Sequence, residues 1–356
     1  MNMMPASEHN SANACKDSLT TLLRGETLAT TQACEAMQAV MRGEVADADL
    51  HAWLRAMMPR IPTTQELLGF VQAFMSCAIR VTAQTAPERI LDTCGTGGAL
   101  KVFNTSTLAA LVAAAAGCPT AKHGNRSRTG LGSAETFAAM GFNINSTAEE
   151  EARMLDQERF CFCMAPRHHP GAAYAARVRK AIGVPTVFNL VGPLTNPAGA
   201  LRQLLGVWDV KFMLPVAETL AARGAVEALV IHSEDGLDEI SVCAPTLFLR
   251  VDRGSVVEEG VFKPEMFGIQ SHATPPPPAQ NLSDAVAIAR GLLEGNDMDS
   301  RRDMLLLNAA VAMVVGGLRL SWKDAVGVAR DMIDGRRALA LLERILSNEK
   351  RQSATD

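Results

Sequence analysis

The chain has 356 residues, of which 48% are hydrophobic and 4% aromatic, and its formal net charge is −4 at pH 7. This length suits two domains, and the apolar content can bury a core without disulfides or metal ions. The acidic balance and the lack of a long basic run argue against a nucleic-acid-binding protein, and no apolar stretch is long enough to span a membrane.

The eight cysteines are scattered along the chain, with no Cys-x-x-Cys pair and no cysteine–histidine cluster in the sequence. The spacing therefore predicts no zinc site, and buried, reduced thiols indicate a cytoplasmic protein. Residues 1–16 lack the pattern of a signal peptide and are interpreted as a disordered tail.

Residues 17–85 show helical periodicity without strand-like alternation, for example in Leu50–Met57 and Leu67–Ile79. Thr63 and Glu66 stand in the order of a capping box at the start of the second helix. The segment therefore predicts a small N-terminal helical domain.

From residue 86 onward, predicted strands alternate with predicted helices. This order predicts an α/β domain with a central, largely parallel sheet flanked by helices. Residues 86–182 and 201–348 are assigned to it, with a proline loop at 275–278, a helical stretch at 282–346 and a frayed tail at 349–356. The strands are predicted at Ile90–Cys94, Pro119–Lys122, Phe160–Met164, Gln203–Trp208 and Val226–His232.

Glycines follow the first predicted strand in the run Gly95-Thr96-Gly97-Gly98, and a helix begins shortly afterwards with Asn104, Ser106 and Thr107. Glycines let backbone N–H groups approach an anion closely, and the helix N-terminus adds further N–H groups and a positive dipole end. The segment favours a phosphate site over an ordinary capped glycine turn.

Charged groups follow three other predicted strands. Lys122 and Arg126 come after the second strand and favour another phosphate contact, because the carboxyl ends of parallel strands meet at one edge. Asp238 and Glu239 can supply oxygen ligands to Mg²⁺, although such a pair alone is more often a solvated turn. Arg179 is suited to a substrate carboxylate, against a default interpretation as a surface ion pair.

Taken together, Gly-Thr-Gly-Gly, Lys-His-Gly-Asn-Arg, Val-Phe-Asn-Leu-Val-Gly-Pro-Leu-Thr-Asn-Pro and Leu-Asp-Glu form a specific combination. The chain from about residue 18 to 347 resembles the anthranilate phosphoribosyltransferase family, whose fold is shared with pyrimidine nucleoside phosphorylases. The resemblance implies a helical domain completed by about residues 183–200, and a homodimer formed through that domain. It also implies transfer of phosphoribose from phosphoribosyl pyrophosphate (PRPP) to the amine of anthranilate in tryptophan biosynthesis.

The resemblance also implies roles for individual residues, with Mg²⁺ as the cofactor and no protein group acting as a strong base. Catalysis would then rest on positioning and electrostatics. The implied metal ligands are Ser106, Asp238 and Glu239. The implied PRPP-binding residues are Gly95, Gly97, Gly98, Asn104, Ser106, Thr107 and Lys122, and the implied acceptor-binding residues are Gly95, Asn125, His169, Arg179 and Pro193.

Two segments depart from the family pattern: Ala99 replaces an aspartate, with Lys101 close behind, and the loop after Arg126 is one residue shorter. The alternatives are a paralogue that uses a different aromatic amine, a non-catalytic relative that binds nucleic acid or a regulatory ligand, and a nucleoside phosphorylase. The intact Asp238–Glu239 pair favours catalysis, and the Lys-His-Gly-Asn-Arg segment favours the anthranilate branch.

Overall fold

A computed structural model describes residues 11–99, 102–127 and 129–352. The chain divides into two compact units. The helical unit comprises the residues up to Ala78 together with His169–Val191, and the α/β unit comprises Ile79–His168 together with the residues from Gly192 onward.

The helices and strands are numbered here in chain order. The helices are α1 Ser11–Leu23, α2 Thr30–Met41, α3 Asp47–Met57, α4 Thr64–Ser76, α5 Thr105–Ala115, α6 Ser133–Ala139, α7 Ala148–Glu158, α8 Ala165–His168, α9 Ala176–Ile182, α10 Val187–Val191, α11 Met213–Ala222, α12 Leu282–Glu294, α13 Ser300–Val315, α14 Trp322–Asp334 and α15 Arg337–Gln352. The strands are β1 Leu91–Gly95, β2 Thr120–Gly124, β3 Phe160–Met164, β4 Arg202–Gly206, β5 Glu227–Ser233, β6 Thr246–Asp252 and β7 Ser255–Phe262.

The helical unit packs around Trp53 of α3, which is fully buried. Its ring meets the edge of Phe70 of α4 at 5.5 Å between centroids. Its indole N–H donates to Ser18 Oγ of α1 at 2.8 Å, so that the polar end of the ring is also satisfied. The predicted capping box is present: Glu66 N–H donates to Thr63 Oγ1 at 3.2 Å, and Thr63 N–H donates to Glu66 Oε2 at 2.7 Å.

The N-terminal tail prediction is wrong for residues 11–16, because α1 already begins at Ser11. Cys15, Ser18 and Leu22 recur at helical spacing and are all buried. Helix α1 therefore has a packed face despite the polar composition of its first residues. Residues 1–10 lie outside the described residues. The predicted C-terminal tail is likewise helical up to Gln352, and residues 353–356 lie outside the description.

The segment that completes the helical unit is His169–Val191 rather than residues 183–200. Gly171 packs so closely on the Met41 backbone that a Cβ would collide with it, which fixes the start of the segment on α2. Asn196, in contrast, donates to the Ala121 carbonyl of β2 at 2.8 Å. Residues 79–85 also belong to the α/β unit, where Val81 N–H donates to the Pro197 carbonyl at 3.2 Å.

The α/β unit contains one seven-stranded sheet in the order β3-β2-β1-β4-β5-β6-β7. The strands from β3 to β5 in this order are parallel, whereas β6 is antiparallel to β5 and β7 is antiparallel to β6. The predicted largely parallel sheet is therefore confirmed. The apolar helix α5 is buried along almost its whole length, because it packs against both the sheet and α13.

The central strand β1 pairs with β2 on one side and with β4 on the other. The chain leaves β1 towards β2 and leaves the neighbouring strand β4 towards β5, so the two connections run in opposite directions. Ligands of open α/β sheets usually bind at the carboxyl ends of such a strand pair. The glycine loop follows β1 at this edge, and the loop that carries Asp238 follows β5.

Candidate active site at the carboxyl ends of the strands

The glycine loop leaves β1 at Gly95 and reaches α5, whose N-cap residue is Asn104. Gly97 has φ +71°, a left-handed conformation that favours glycine. Gly97 and Gly98 are both exposed. The loop and the first turn of α5 therefore lie at the edge of the sheet, where a phosphate site requires backbone N–H groups.

Two strand ends require glycine because the loop after β5 passes directly over them. A Cβ on Gly95 would collide with the Asp238 carboxylate, and a Cβ on Gly206 would collide with the Asp238 backbone. Gly97 N–H also donates to Asp238 Oδ2 at 3.4 Å. The acidic loop and the glycine loop thus form one packed arrangement.

The three proposed metal ligands lie together in this arrangement. Ser106 N–H, in the first turn of α5, donates to Glu239 Oε1 at 3.2 Å. Ser106, Asp238 and Glu239 line one small cavity, whose wall also includes Thr93, Cys94, Leu204, Gly206 and Asn308. The sequence prediction that these three residues converge is consistent with this placement.

Asn308 is a site residue that was not predicted from the sequence. It lies on α13, and its side chain pairs with both backbone groups of Ile240: Oδ1 accepts from the N–H and Nδ2 donates to the carbonyl, each at 2.9 Å. Ile240 directly follows Glu239, so α13 holds the acidic loop from behind. The available signal was a single amide within the apolar run Leu305-Leu306-Leu307-Asn308-Ala309-Ala310.

Lys122 lies in the interior rather than on an open basic turn. Its side chain is 3% exposed, and Nζ donates to the Thr93 carbonyl and, at 3.4 Å, to Ser106 Oγ. Burial raises the pKa of the neighbouring Asp92, and the charge of Lys122 opposes that rise. The contacts of Lys122 therefore position Ser106 and place a positive charge behind it.

Two residues at the start of α5 also turn towards the protein. Asn104 Nδ2 donates to Thr136 Oγ1 of α6 at 2.6 Å, and Thr107 is 2% exposed. Within the implied PRPP set, Gly97 and Gly98 are exposed and Ser106 is half-buried. The side chains of Asn104, Thr107 and Lys122 instead shape the loop from inside.

The implied acceptor residues divide between the two units. In the α/β unit, Asn125 is exposed and its Oδ1 accepts from Arg126 N–H at 2.7 Å. The Pro193 carbonyl accepts from Gln203 Nε2 at 2.7 Å. Gln203 also donates to Asp92 Oδ2 at 3.4 Å, which connects Pro193 to the polar network beneath β1.

His169 and Arg179 belong to the helical unit. The His169 ring lies 5.6 Å from that of Phe74. The Arg179 guanidinium lies 4.8 Å above the Phe188 ring and donates to Asn189 Oδ1 at 3.5 Å. Burial lowers the pKa of Arg179, but arginine remains cationic at neutral pH. Its charge is therefore held in a fixed, partly desolvated setting.

Comparison with known families places the chain. Residues 16–78 match the glycosyl transferase family, helical bundle domain, and residues 87–339 match the glycosyl transferase family, a/b domain. The chain belongs to this glycosyl transferase family. The two matched regions have the helical bundle and the mostly parallel sheet seen here, so the fold and family implied by the sequence are confirmed.

Several family members are named anthranilate phosphoribosyltransferase. The protein from Rubrobacter xylanophilus is 40% identical over 341 residues, which cover 94% of this chain and 98% of that protein. The protein from a Roseiflexus species is 38% identical, with 93% and 97% covered.

Solved structures show the same fold. Anthranilate phosphoribosyltransferase from Thermus thermophilus has a TM-score of 0.85 at 35% identity, with 93% of this chain and 98% of that chain covered. The Saccharomyces cerevisiae enzyme in complex with PRPP and Mg has a TM-score of 0.86 at 23% identity, with 96% and 99% covered. None of the helices in the described part of this chain has the length and apolar character needed to cross a membrane.

Proposed function

We propose that the chain transfers the phosphoribosyl group of PRPP to the amine of anthranilate, with Mg²⁺ and release of pyrophosphate, in tryptophan biosynthesis. The observation that carries this proposal is the convergence of Ser106, Asp238 and Glu239 on one cavity beside the glycine loop. Relatives at 35–40% identity over nearly the whole chain carry the corresponding name.

The donor set of the cavity fits Mg²⁺. Two carboxylates and one hydroxyl are hard oxygen ligands, and Asp238 and Glu239 lie at an edge of the sheet where waters and phosphate oxygens can complete the coordination. Bound Mg²⁺ would neutralise charge that develops on the departing pyrophosphate.

The protein groups around the cavity bind and orient PRPP under this proposal. Gly97, Gly98 and the first turn of α5 supply backbone N–H groups to phosphate oxygens. The Gly97 and Ser106 N–H groups, which donate to Asp238 and Glu239 in this structure, turn to phosphate oxygens when those carboxylates bind Mg²⁺. Lys122 holds Ser106 Oγ in place and adds positive potential from the interior. No protein base is required, because the amine nitrogen becomes acidic only as its bond to the ribose carbon forms.

The acceptor-binding residues in this proposal are those that the family resemblance implies: Gly95, Asn125, His169, Arg179 and Pro193. Arg179 is suited to the anthranilate carboxylate because its planar guanidinium can form two parallel charge-assisted hydrogen bonds. Support for this role comes from its desolvated position above Phe188, where a charge pair is screened less than on the surface.

The loss of anthranilate fluorescence in the presence of PRPP and Mg²⁺ tests the reaction directly. We expect turnover on the order of one to ten per second, near the median for enzymes. If anthranilate is inert but another aromatic amine releases pyrophosphate, the reaction class stands and the acceptor is wrong. If no amine supports pyrophosphate release, the phosphoribosyl transfer itself is rejected.

The double variant Asp238→Asn, Glu239→Gln tests the metal ligands. We expect loss of Mg²⁺-dependent turnover and of the Mg²⁺-dependent heat of PRPP binding in calorimetry, because both anionic ligands are removed. The exposed pair Glu258 and Glu259 on β7 provides a matched control, Glu258→Gln, Glu259→Gln, which should leave both measurements unchanged. Normal Mg²⁺-dependent binding by the first variant would place the metal elsewhere.

The proposal also includes a homodimer through the helical unit and a cytoplasmic location. All eight cysteines lie within the described residues and are free thiols, which suits a reducing compartment. Light scattering of the purified chain at several concentrations tests the oligomer, and a monomer at every concentration would reject it.

A further inference from the structure

A second cluster of ionisable side chains lies in the α/β unit, apart from the glycine loop and the acidic loop. It consists of Glu151 in α7, Cys163 in β3 and His168 at the end of α8, and each of the three is no more than 1% exposed. Their ligand atoms all lie within 4.8 Å of one another. The surrounding cluster is apolar: Val81, Ile90, Ala121, Ala152, Leu155, Cys161 and Ala198.

The imidazole of His168 has a defined orientation. Its Nδ1 lies 2.7 Å from the Ile79 carbonyl oxygen, and because a carbonyl can only accept, Nδ1 carries the proton. Nε2 then faces Glu151 Oε2 at 2.7 Å. A ring N–H donated to a backbone carbonyl is the contact that orients metal-binding histidines, and it leaves Nε2 as the nitrogen that can bind an ion.

The cluster holds two replaceable protons. The contact between Nε2 and the carboxylate contains one of them, since two lone pairs at that distance would repel. The Cys163 thiol holds the other proton, as an ordinary thiol does at neutral pH.

We propose that this cluster is a Zn²⁺ site in which the ion replaces both protons. The ligands are Cys163 Sγ as thiolate, His168 Nε2 and one Glu151 oxygen. The net charge stays the same, because two protons and one dication carry equal charge. That balance matters here, since an uncompensated charge in an apolar cluster is costly.

Cys161 is placed to stabilise the Cys163 thiolate. Its Sγ lies 3.8 Å from Cys163 Sγ, so Cys161 keeps its proton and donates an S–H hydrogen bond to that thiolate, and one tetrahedral position is left for a water ligand. A nitrogen and an oxygen ligand of one tetrahedral zinc ion lie about 3.3 Å apart. The Glu151 oxygen must therefore move about 0.6 Å away from His168 Nε2 when the proton between them leaves. Sulfur and imidazole donors select Zn²⁺ over the Mg²⁺ expected at the acidic loop.

The cysteine spacing in the sequence predicted no zinc site because these ligands come from three different elements. Only the parallel sheet brings them together: β3 presents Cys161 and Cys163 on one face, and α7 and α8 flank that strand in the chain. Zinc would therefore connect α7 to the segment just before His169.

Metal binding by the purified full chain tests the proposal. After chelation and dialysis, we expect one Zn²⁺ per chain by elemental analysis and two protons released per ion. Co²⁺ should give a thiolate-to-metal charge-transfer band that Zn²⁺ abolishes and Mg²⁺ does not. Cys163→Ser and His168→Gln should each lower the affinity for Zn²⁺ at least about a hundredfold. Cys118→Ser, which changes a buried thiol of another cluster, should leave that affinity unchanged.

Two outcomes overturn the proposal. The first is a wild-type chain that binds no Zn²⁺ and shows no thiolate-to-Co²⁺ band, a result that needs no variant to fold. The second is an ion that binds equally well to wild type, Cys163→Ser and His168→Gln, which would place it elsewhere. Neither outcome bears on phosphoribosyl transfer, which is measured separately with Mg²⁺.

Discussion

Asn308→Ala is the most informative single change in the α/β unit, because it alters the acidic loop without touching a proposed ligand. The side chain satisfies the N–H and the carbonyl of Ile240 and also donates to the Met304 carbonyl at 2.8 Å. Ile240 is 1% exposed, so both of its backbone groups lose their partner in a site that excludes bulk water.

An unpaired buried donor or acceptor costs about 1–3 kcal/mol. The Met304 carbonyl lies within α13 and contributes little, since helix carbonyls already accept a backbone N–H. A water that enters the space left by the amide recovers part of the loss at Ile240. We therefore expect Asn308→Ala to lower the free energy of unfolding by about 2–4 kcal/mol. Because the acidic loop loosens, the affinity for Mg²⁺ should also fall about tenfold.

Urea unfolding measures the first effect, and calorimetric titration of Mg²⁺ in the presence of PRPP measures the second. Asn308→Asp separates the two halves of the contact. It retains an acceptor for Ile240 N–H but turns an oxygen towards two carbonyls, so it should be at least as damaging as alanine. Asn296→Ala is the matched control, because that exposed side chain donates to half-buried Glu294 at 2.9 Å and its loss should change stability by less than about 0.5 kcal/mol.

The reasoning fails if Asn308→Ala stays within about 0.5 kcal/mol of wild type, the range of ordinary surface changes. It also fails in its functional part if stability falls but Mg²⁺ affinity does not. In that case α13 supports the core without fixing the acidic loop.

Three further predictions follow from other contacts. Arg179→Ala should raise the KM for anthranilate far more than the KM for PRPP; Arg177→Ala, on the same helix, is the control, and an unchanged anthranilate KM would remove Arg179 from acceptor binding. Gly95→Ala should abolish Mg²⁺-dependent turnover because its Cβ meets the Asp238 carboxylate, whereas Gly291→Ala on α12, with open space around it, should not. Hydrogen bonds from residues 84 and 85 outweigh burial and lower the pKa of Asp156. The contribution of Asp156 to stability is therefore complete above about pH 4 and is lost as the pH falls through its lower folded pKa. The difference in unfolding free energy between wild type and Asp156→Asn should shrink in acid, and a constant difference would contradict this.

Local signals predicted much of the fold. The capping box at Thr63 marks the start of α4, and Phe160–Met164 has the predicted bounds because an unbroken apolar run lies between a helix and a proline. The start of α1 and the return segment at His169–Val191 were missed for a common reason. Their structure depends on packing against distant parts of the chain, which the residues themselves do not reveal.

The site shows the same division. Ser106, Asp238 and Glu239 were named as a group by the family resemblance, and their placement agrees with a parallel sheet that brings the ends of β1 and β5 to one edge. The inward direction of Lys122 was not predictable, since a basic residue at a strand end is normally solvated. Asn308 and the Glu151–Cys163–His168 cluster depend on contacts between elements far apart in sequence, and spacing alone gives no access to them.

Because Asn308 reaches Ile240 across 68 residues of chain, the cavity is completed only after α13 has been synthesised. A chain emerging from the ribosome would carry the glycine loop and both acidic residues well before it could hold them in place. Fragments that end before α13 would thus retain the sequence motifs but not the geometry, and schemes that split this protein should keep α13 with the sheet.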